Sequence, residues 1–571
     1  MIIGLDVGGT HTDVVLLGEG GLLKAAKVPT DDSDLFRTVL RGLTEISEGI
    51  APPSIQRIVL STTLTTNAIV QNKIPPVGMI VSAGPGIDPE YFRTNASYYA
   101  VSGAIDHRGR EIEPLNPGEI TRIARQFQRE GIRHVGVVSK FSIRNATHEL
   151  QMCEILRASF DKVFMGHRIS GNLNFARRIA TTFLNTAVYP IHKAFYRAMQ
   201  KSLSTKGLML PIRILKADGG NMKFEASMDF PGQTILSGPA ASVLGAMAFC
   251  AEKADTLVMD IGGTTTDMAV LIHRDPVLNP LGIELGGYKT LIRSLETLSI
   301  GLGGDSAVKL VNGELQVGPE RSGPAMAYGG PQPTPTDALR VLGDLKTGDH
   351  AKAVRGLKPL AQALGLPVTA VAAQILAISS QTILSAAQQL IDRINGKPVY
   401  TVHELKEGYV VRPKTILVLG GPAPYFARHL AQLSNYKVIV VPRWQVANAI
   451  GAALARTTCE VTFLADTERR VAVAPEESFS RRIPADFDAA AAEQTALELL
   501  REKAIARGAN PEHMETEVLE SMQFNMVRGF STIGKNFRVK VQLKPGLIQG
   551  YNKVIAQLAQ GAEAHEQGAG R

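Results

Sequence analysis

Apolar and polar positions alternate along the chain in short runs that predict a mixed α/β protein. Residues 2–5 form an apolar run before Asp6, a Gly-Gly pair follows, and residues 14–17 form a second apolar run. This pattern predicts a strand, a tight turn and a returning strand. Residues 256–271 repeat it around Asp260. The chain therefore contains two similar predicted β-hairpins, each with glycines that interrupt the apolar runs and with carboxylates, which are uncommon in a protein core.

Other segments carry clear helical or strand patterns. Apolar residues recur at helical spacing in 35–47, at Leu35, Val39, Leu43 and Ile46. Helices are also predicted over about 174–203, with a bend at Pro190, and in "AAQILAISSQTILSAAQQLI", "NAIGAALA" and "DAAAAEQTALELLREKAIARG", which Gly508 ends. Further strands are predicted in "RIVLSTT", "VGMIVS", "HVGVVS", "TILVL", "KVIVVP" and "FRVKVQL". The segment "GPERSGPAMAYGGPQPTPTD" is predicted to be loop, and the tail "QGAEAHEQGAGR" to be disordered.

Composition narrows the functional class. A chain of 571 residues predicts two or three domains, and its 44% hydrophobic and 20% charged residues are ordinary for a globular protein. The net charge of +8 is mild, and no Lys/Arg block occurs, so no nucleic-acid partner is expected. Three separated cysteines indicate reduced thiols rather than a zinc site. With no signal peptide and no apolar run near ~20 residues, a cytoplasmic protein without a membrane span is expected.

The repeated hairpin suits the binding of phosphate. Glycines at a hairpin tip expose backbone N–H groups and allow close approach of a ligand, and neighbouring threonine hydroxyls add donors. An aspartate at the end of the first strand is placed to hold a divalent cation, since Mg²⁺ prefers a few carboxylates plus phosphate oxygens. Two such hairpins facing each other would grip the β- and γ-phosphates of one nucleotide. A single hairpin could equally be a plain turn with polar tips, but the repetition favours a phosphate clamp.

The ordered set of motifs resembles the hydantoinase/oxoprolinase family, within the superfamily of actin, sugar kinases and heat-shock chaperones. The likeness is carried, over residues 1–455, by "GLDVGGTHTD", "STTLTTNAI", "FLNTAVYP", "ILKADGGN", "TILSGPAASVLGA", "DIGGTTTDMAV", "SIGLGGDSAV", "PTPTDALRVLG" and "LVLGGPAP". The resemblance implies two actin-like (ribonuclease H-like) ATPase halves around a nucleotide cleft, with a small α+β C-terminal segment. The expected domains are 1–170, 171–465 and 466–571.

The resemblance also implies an activity. Members of the family use ATP to open cyclic amides such as hydantoins or 5-oxoproline, so the expected reaction is hydrolysis through a phosphorylated carbonyl, with ATP and Mg²⁺ as cofactors. The implied partners are a small cyclic amide, a hydantoinase B-type second subunit and a further copy of the chain. Two alternatives remain open: a small-molecule kinase, and an ATPase that activates or remodels a partner enzyme, including carboxylase-type complexes.

Site residues are assigned from these motifs. Asp6 and Asp260 are expected to hold Mg²⁺, and Asp13 and Asp267, which close the hairpins, to orient a metal-bound water or act as a base. The expected contacts to the nucleotide are Gly8, Gly9, Thr10, Thr12, Gly262, Gly263, Thr264, Thr266, Gly303 and Gly304 around the phosphates or ribose, and Gly420 and Gly421 at the adenosine.

Substrate residues are less clearly marked. Thr62, Thr63, Thr66 and Asn67 match a family loop that faces the cleft, although a Ser/Thr-rich helix cap explains them equally well. Asp218, Gly219 and Gly220 carry the same two interpretations. The chain departs from the family pattern at Leu60-Ser61, where a His-Gly pair is usual, and at Asp305, where glycine is usual. These departures predict an intact ATP clamp with an altered substrate side.

Overall fold

The computed structural model describes residues 1–548 and 556, except 10, 32–33, 52–53, 209, 251–253, 280 and 397–408. The tail predicted to be disordered, residues 560–571, lies outside the described residues.

The α-helices of the described residues are α1 Leu35–Ser47, α2 Leu64–Val70, α3 Pro117–Arg129, α4 Thr147–Leu156, α5 Gly166–Ile169, α6 Phe175–Thr205, α7 Phe224–Ser227, α8 Ser237–Phe249, α9 Pro335–Leu342, α10 His350–Leu364, α11 Val368–Asn395, α12 Ala423–Gln432, α13 Ala447–Leu454 and α14 Ala489–Ala506.

The strands of the described residues fall in chain order around these helices. They are β1 Ile2–Val7, β2 His11–Gly18, β3 Gly21–Pro29, β4 Arg57–Thr62, β5 Gly78–Ser82, β6 Tyr98–Val101, β7 Ala104–Ile105, β8 Glu111–Glu113, β9 His134–Ser139, β10 Lys162–Met165, β11 Ile212–Leu215, β12 Asn221–Lys223, β13 Thr256–Ile261, β14 Thr266–Ile272, β15 Asp275–Pro276, β16 Leu278–Asn279, β17 Glu284–Leu285, β18 Tyr288–Lys289, β19 Ser294–Leu295, β20 Thr297–Ile300, β21 Val308–Val311, β22 Glu314–Val317, β23 Thr415–Leu419, β24 Lys437–Val440, β25 Glu460–Asp466, β26 Val471–Ala474, β27 Phe479–Arg482, β28 Thr516–Arg528 and β29 Ser531–Leu543.

Two six-stranded sheets carry the two predicted hairpins, and their local topology is alike. In the first sheet, ordered β12-β11-β4-β1-β2-β3, the hairpin strand β1 is antiparallel to β2 and parallel to β4, which is parallel to β11. In the second sheet, β13 is antiparallel to β14 and parallel to β23, which is parallel to β24. Both hairpins were predicted from the apolar runs, and the structure confirms them.

Helices α8 and α13 pack side by side and join these sheets. The apolar face of α13 lies on β1, β2 and β4, and α8 contributes to the core beside β13, β14 and β23. Glycines bring the two helices into close contact, because a Cβ on Gly451 would stand 2.2 Å from the Ala241 carbonyl oxygen and one on Gly245 would stand 2.3 Å from the Ala447 carbonyl oxygen. The helix pair therefore fixes how the two hairpins face each other.

The rest of the described chain is mixed α/β, as the alternation of patterns predicted. A four-stranded parallel sheet, ordered β10-β9-β5-β6, packs against α3 and α6, and α6 runs unbroken through Pro190. Helix α1 spans the residues predicted from its apolar spacing. The Gly/Pro-rich segment contains a short 3₁₀ turn, Met326–Tyr328, and the helix α9 begins near its end at Pro335.

The C-terminal segment forms an antiparallel sheet ordered β27-β26-β25-β29-β28, covered by α14. Helix α14 ends before Gly508, whose φ of +96° is the left-handed conformation expected at such a stop. The central strand β25 begins at Glu460 and crosses the boundary expected at 465/466. The expected boundary therefore divides a strand whose two neighbours both lie beyond it.

Helix α11 has the length and hydropathy of a membrane span, but 50% of its most apolar window is buried inside the protein. A core helix of this kind passes the same test, and its buried side, including Val371, Ile375 and Ile383, belongs to a hydrophobic core with β13 and β23.

Candidate functional site

The two hairpins present four carboxylates in matched positions. In the first hairpin Asp6 lies opposite Asp13, and in the second Asp260 lies opposite Asp267. Asp6 and Asp13 are buried, with exposed fractions of 8% and 9%. Each hairpin therefore ends in a cross-strand pair of acids, which places two like charges directly opposite each other.

One amide group connects the two hairpins. The Nδ2 of Asn448, on α13, lies 3.3 Å from Oδ2 of Asp6 and 3.1 Å from Oδ2 of Asp260. The Ser242 hydroxyl, on α8, donates to the same Asp260 oxygen over 2.6 Å. The structure thus brings together two residues, Asp6 and Asp260, that stand far apart in the sequence.

Burial raises the pKa of three of these carboxylates, those of Asp6, Asp13 and Asp267. It raises the pKa of Asp6 to about 6; the negative charges of Asp13 and Asp260 add to the rise, and the polar groups of Ser61 and Asn448 oppose it. Burial and the charge of Asp260 raise the pKa of Asp267 to about 7. The pKa of Asp13 is also raised by burial, although Lys27, 2.6 Å from its Oδ1, opposes this.

The hairpin tips are partly open to solvent. Gly9 is exposed, and a Cβ on it would meet only the Asn67 amide at 3.6 Å; Thr264 is also exposed. The amides of Gly8 and Gly262 are hydrogen-bonded to the carbonyls of His11 and Thr265 within their turns. Thr10 lies outside the described residues. The hairpin tips therefore leave room for a phosphate group to approach, mainly at Gly9, Gly263 and Thr264.

The structure corrects the expectation for Thr12 and Thr266. Both are fully buried; the Thr12 hydroxyl is hydrogen-bonded to the Thr30 hydroxyl at 2.9 Å, and the Thr266 hydroxyl donates to the Leu302 carbonyl at 2.7 Å. Because side chains alternate along a strand, each threonine points away from the face that its neighbouring aspartate occupies. Their hydroxyls are used inside the protein rather than at the tips.

The turn at 303–305 packs on the tip of the second hairpin. The backbone amides of Gly304 and Asp305 donate to the carbonyls of Gly262 and Gly263 over 2.9 and 2.7 Å. A Cβ on Gly303 would stand 2.5 Å from the Gly262 carbonyl oxygen, so the contact requires glycine there. The Asp305 carboxylate, which departs from the family pattern, is 3.2 Å from the Arg321 guanidinium, and this ion pair compensates its charge.

Gly420 and Gly421 also lie beside the second hairpin. Gly420 has φ +94°, and a Cβ on it would stand 2.4 Å from Asp260 Oδ1. Gly421 has no atom within 4 Å of an added Cβ, so it faces open space. These two glycines and the turn at 303–305 surround the same hairpin, as the assignment of a nucleotide site requires.

The loop at 62–67 lies beside the first hairpin and the start of α8. The Thr63 amide donates to the Val7 carbonyl at 3.3 Å, and Asn67 lies beside Gly9. The Ser237 hydroxyl donates to the Thr62 carbonyl at 2.8 Å, and the Leu236 amide donates to the Thr66 hydroxyl at 2.9 Å. This loop therefore borders the clamp, while much of its hydrogen bonding is structural.

Asp218 lies in a different cluster. Its carboxylate accepts hydrogen bonds from Lys216 at 3.0 Å, from the Thr458 hydroxyl and from the Gly220 amide, and Arg293 lies 3.6 Å away. None of the hydrogen bonds and ion pairs among the described residues joins this cluster to a hairpin aspartate. Asp218 therefore has its charge matched within a cluster that is separate from the hairpin aspartates.

Comparison with known proteins identifies the family. A profile described as "Hydantoinase/oxoprolinase N-terminal region" matches residues 2–160, and one described as "Hydantoinase/oxoprolinase" matches residues 178–461. The chain belongs to the hydantoinase/oxoprolinase family. The family resemblance inferred from the motifs is thereby confirmed.

Within the family, the caprolactamase subunit alpha of Pseudomonas jessenii is 23% identical over 488 residues, covering 77% of this chain and 68% of that subunit. The crystal structure of the ATP-dependent caprolactamase from the same organism has a TM-score of 0.69 at 19% identity, covering 95% of this chain and 88% of that one. A nucleotide-free acetone carboxylase structure has a TM-score of 0.72 at 16% identity, covering 96% and 88%. These likenesses establish the fold that this chain shares with the family.

Two site residues were missed from the sequence. Asn448 lies in a helix predicted from its apolar residues, and it is the single amide among the residues of α13. A lone polar side chain in a buried helix needs a partner, which was the available signal. Ser242 gave no such signal, because α8 was not predicted and its many small residues have no strong periodicity.

The acidic residues suit a magnesium ion with few protein ligands. In the part of the chain that the structure describes, no group of three or more His, Cys, Asp or Glu side chains could hold a metal. However, Oδ1 of Asp6 is buried without a hydrogen-bond partner, and the Asp260 carboxylate lies on the other side of the Asn448 amide. Hard oxygen donors in this number fit Mg²⁺, which completes its shell with water and phosphate.

Proposed function

We propose that this chain is an ATP-dependent hydrolase that opens a cyclic amide, such as a hydantoin, 5-oxoproline or a related lactam. One observation carries the proposal: the Asn448 amide joins the aspartates of both hairpins, at 3.3 and 3.1 Å. Two phosphate-binding tips that share one polar centre suit a single nucleotide held from two sides.

The proposed layout is two actin-like halves with the nucleotide between them. The first half comprises about residues 1–236 rather than 1–170, because β11 and β12 belong to the first hairpin sheet. The second half comprises about residues 237–459, and residues from 460 form a separate C-terminal unit. Supporting this layout, both hairpin sheets have an antiparallel pair followed by parallel strands, and α8 and α13 lie between them.

In this proposal the glycines around the second hairpin bind the nucleotide. Gly262, Gly263, Gly303 and Gly304 surround the phosphates, and Gly421, with open space around it, faces the adenosine. Gly9 and the exposed Thr264 approach the terminal phosphate. Mg²⁺ held by Asp6 and Asp260 would neutralise charge on the phosphates.

The reaction begins with attack of the amide carbonyl oxygen on the γ-phosphorus, releasing ADP. Water then adds to the activated carbon and the ring C–N bond breaks, which leaves the ring-opened product as an acyl phosphate and a protonated amine. A second water attacks the acyl carbon, and phosphate leaves with the former carbonyl oxygen. Of the two candidate bases, Asp267 suits proton transfer better because its pKa of about 7 lies near the working pH. Asp13 is held by its ion pair with Lys27.

A second subunit of the hydantoinase B type is part of the proposal. The caprolactamase relative is itself a subunit, which supports a complex of this kind. The test should therefore use the chain purified together with any subunit that co-purifies with it.

The decisive experiment follows ATP hydrolysis with a panel of hydantoins, oxoproline and lactams carrying ¹⁸O in the carbonyl. We expect one compound to stimulate phosphate release, yield a ring-opened acid and transfer ¹⁸O to phosphate. Phosphate retained on the small molecule would instead identify a kinase. Stimulation only by a ketone with bicarbonate would identify a carboxylase-type function, and indifference to every small molecule would indicate an ATPase acting on a partner.

A further inference from the structure

A polar cavity, separate from the hairpin site, lies between the body of the protein and its C-terminal unit. Its volume is about 40 Å³. Its lining comes from the end of α5, from α6, from the loop after β11, from the turn before α8, from the region around Arg293, from the start of β25, from the turn at Glu476 and from the end of α14. Its charged lining residues are Lys216, Asp218, Arg293, Glu460, Glu476, Lys503 and Arg507.

Most of these charges are paired. Lys216 lies 3.0 Å from Asp218, Arg293 lies 3.2 Å from Glu460, and Lys503 lies 3.1 Å from Glu476. Burial opposes ionisation of Glu460, but Lys540, Arg293 and Lys503 outweigh it and lower its pKa to about 2. The three carboxylates that line the cavity are therefore already paired with neighbouring cations.

Arg507 is the exception. Its side chain is buried, with an exposed fraction of 6%, and its guanidinium forms no ion pair or hydrogen bond with any described residue. The guanidinium lies 4.9 Å from the centre of the Phe230 ring, and stacking of this kind leaves the N–H groups at its edge free. Lys216, Arg293 and Lys503 each have a carboxylate partner, so Arg507 is the one cation lining the cavity that has none among the described residues.

Two further polar groups in the lining of this cavity lack a hydrogen-bond partner. Nη2 of Arg293 and Oε1 of Gln233 are buried without a hydrogen-bond partner, and both residues line the cavity. If the side-chain amide of Gln233 is turned by 180°, its NH₂ group faces the cavity instead of its oxygen. Buried polar groups without partners are rare in folded proteins, and several around one space point to a bound species.

The size of the cavity limits what that species can be. One water needs roughly 10–15 Å³, so about 40 Å³ accommodates about three or four small atoms. Arginine binds planar, two-oxygen groups through paired N–H donors. A small carboxylate-type anion fits both the size and the donors, whereas a nucleotide phosphate chain is too large.

We propose that this cavity is a binding site for a small carboxylate-type anion, such as formate, acetate or bicarbonate, held by Arg507 with Arg293 and Gln233. The site is separate from the hairpins and does not depend on the proposed reaction. An anion there links α14 to the loop after β11, so it would also tie the C-terminal unit to the body of the protein.

The test is a calorimetric titration of the full chain with sodium formate, acetate, bicarbonate and phosphate, each against chloride at constant ionic strength. We expect saturable millimolar binding of at least one planar anion and weaker binding of phosphate. Arg507→Gln should weaken that binding at least tenfold. Arg501→Gln, which changes an exposed arginine on the same helix, should leave it within twofold.

A second variant covers the case in which Arg507→Gln does not fold. Gln233→Glu places a carboxylate of nearly the same shape beside Arg507 and should abolish anion binding by occupying that cation. Absence of saturable binding to the unaltered chain would mean that water alone fills the cavity. That result, or undiminished binding in either folded cavity variant, would overturn the proposal.

Discussion

At the scale of single residues, Asn448 holds two like charges close together through one neutral amide. Its Nδ2 group is the donor to both Asp6 and Asp260, and α13 offers no other polar side chain that could take its place. The order of the site therefore depends on a residue that belongs to neither hairpin.

Replacing Asn448 with Ala should destabilise the protein by about 1–3 kcal/mol, since two hydrogen bonds to charged groups are lost and the carboxylates face each other. The measurement is the thermal midpoint without added nucleotide. Asn435→Ala, at an exposed position, is the matched control and should change little. An unchanged midpoint for Asn448→Ala would contradict the bridging role.

Asp6→Asn and Asp260→Asn should each abolish binding of Mg-ATP while leaving the fold intact, because asparagine keeps the shape but removes the charge that attracts the cation. Binding is measured by calorimetry, and folding by circular dichroism. The control is Asp486→Asn, an exposed aspartate that forms no hydrogen bond or ion pair with a described residue. Undiminished affinity in both hairpin variants would exclude the clamp.

The raised pKa values predict how stability depends on pH. Asp6 and Asp267 hold their protons more tightly when folded, with pKa values of about 6 and 7 against 3.8. The folded state therefore binds more protons between pH 4 and 7, and stability falls as the pH rises through this window. Asp267→Asn should reduce that fall by about 1–3 kcal/mol, seen as a smaller difference between thermal midpoints at pH 5 and 7.5. An unchanged difference would argue against the raised pKa of Asp267.

At the scale of elements, the contact between α8 and α13 decides the geometry of the site. Gly451→Val should destabilise the protein severely, by several kcal/mol, because its Cβ would stand 2.2 Å from the backbone of α8. Gly118→Ala, on the exposed first turn of α3, is the control and should be tolerated. The readout is soluble yield and thermal midpoint; a midpoint for Gly451→Val equal to that of the control would contradict the close packing.

The elements also show where sequence reasoning succeeds. Helix α1 and both hairpins follow from local apolar spacing, and the structure confirms them. Thr12 and Thr266 were misassigned because the hairpin motif does not reveal which face of the strand is buried. Asn448 and Asp218 could not be placed for a different reason: their partners are distant in the sequence, and only the packing of helices and sheets brings them together.

At the scale of the whole molecule, the C-terminal unit depends on a strand that precedes the expected boundary. β25 is the central strand of its sheet, between β26 and β29. A chain ending at residue 465 would keep most of β25 without either neighbour and would expose Val461 and Phe463, which are buried in the full chain.

Such a truncated chain should be poorly soluble and aggregate, since an unpaired apolar strand pairs readily with other chains. A chain ending at residue 455, before this strand, is the comparison and should remain more soluble. The measurement is the soluble fraction together with size-exclusion chromatography. Equal solubility of the two truncated chains would show that β25 is stable without its sheet.

The contact between α8 and α13 couples the packing of the two helices to the contacts of the carboxylates. In α8, Ser242 precedes the contact glycine Gly245 by three residues, and in α13, Asn448 precedes Gly451 by the same interval. Ser242 reaches Asp260, Asn448 reaches both Asp6 and Asp260, and each glycine meets the opposite helix. Sliding one helix along the other would therefore move a glycine out of its contact and a polar side chain away from the carboxylates in the same step.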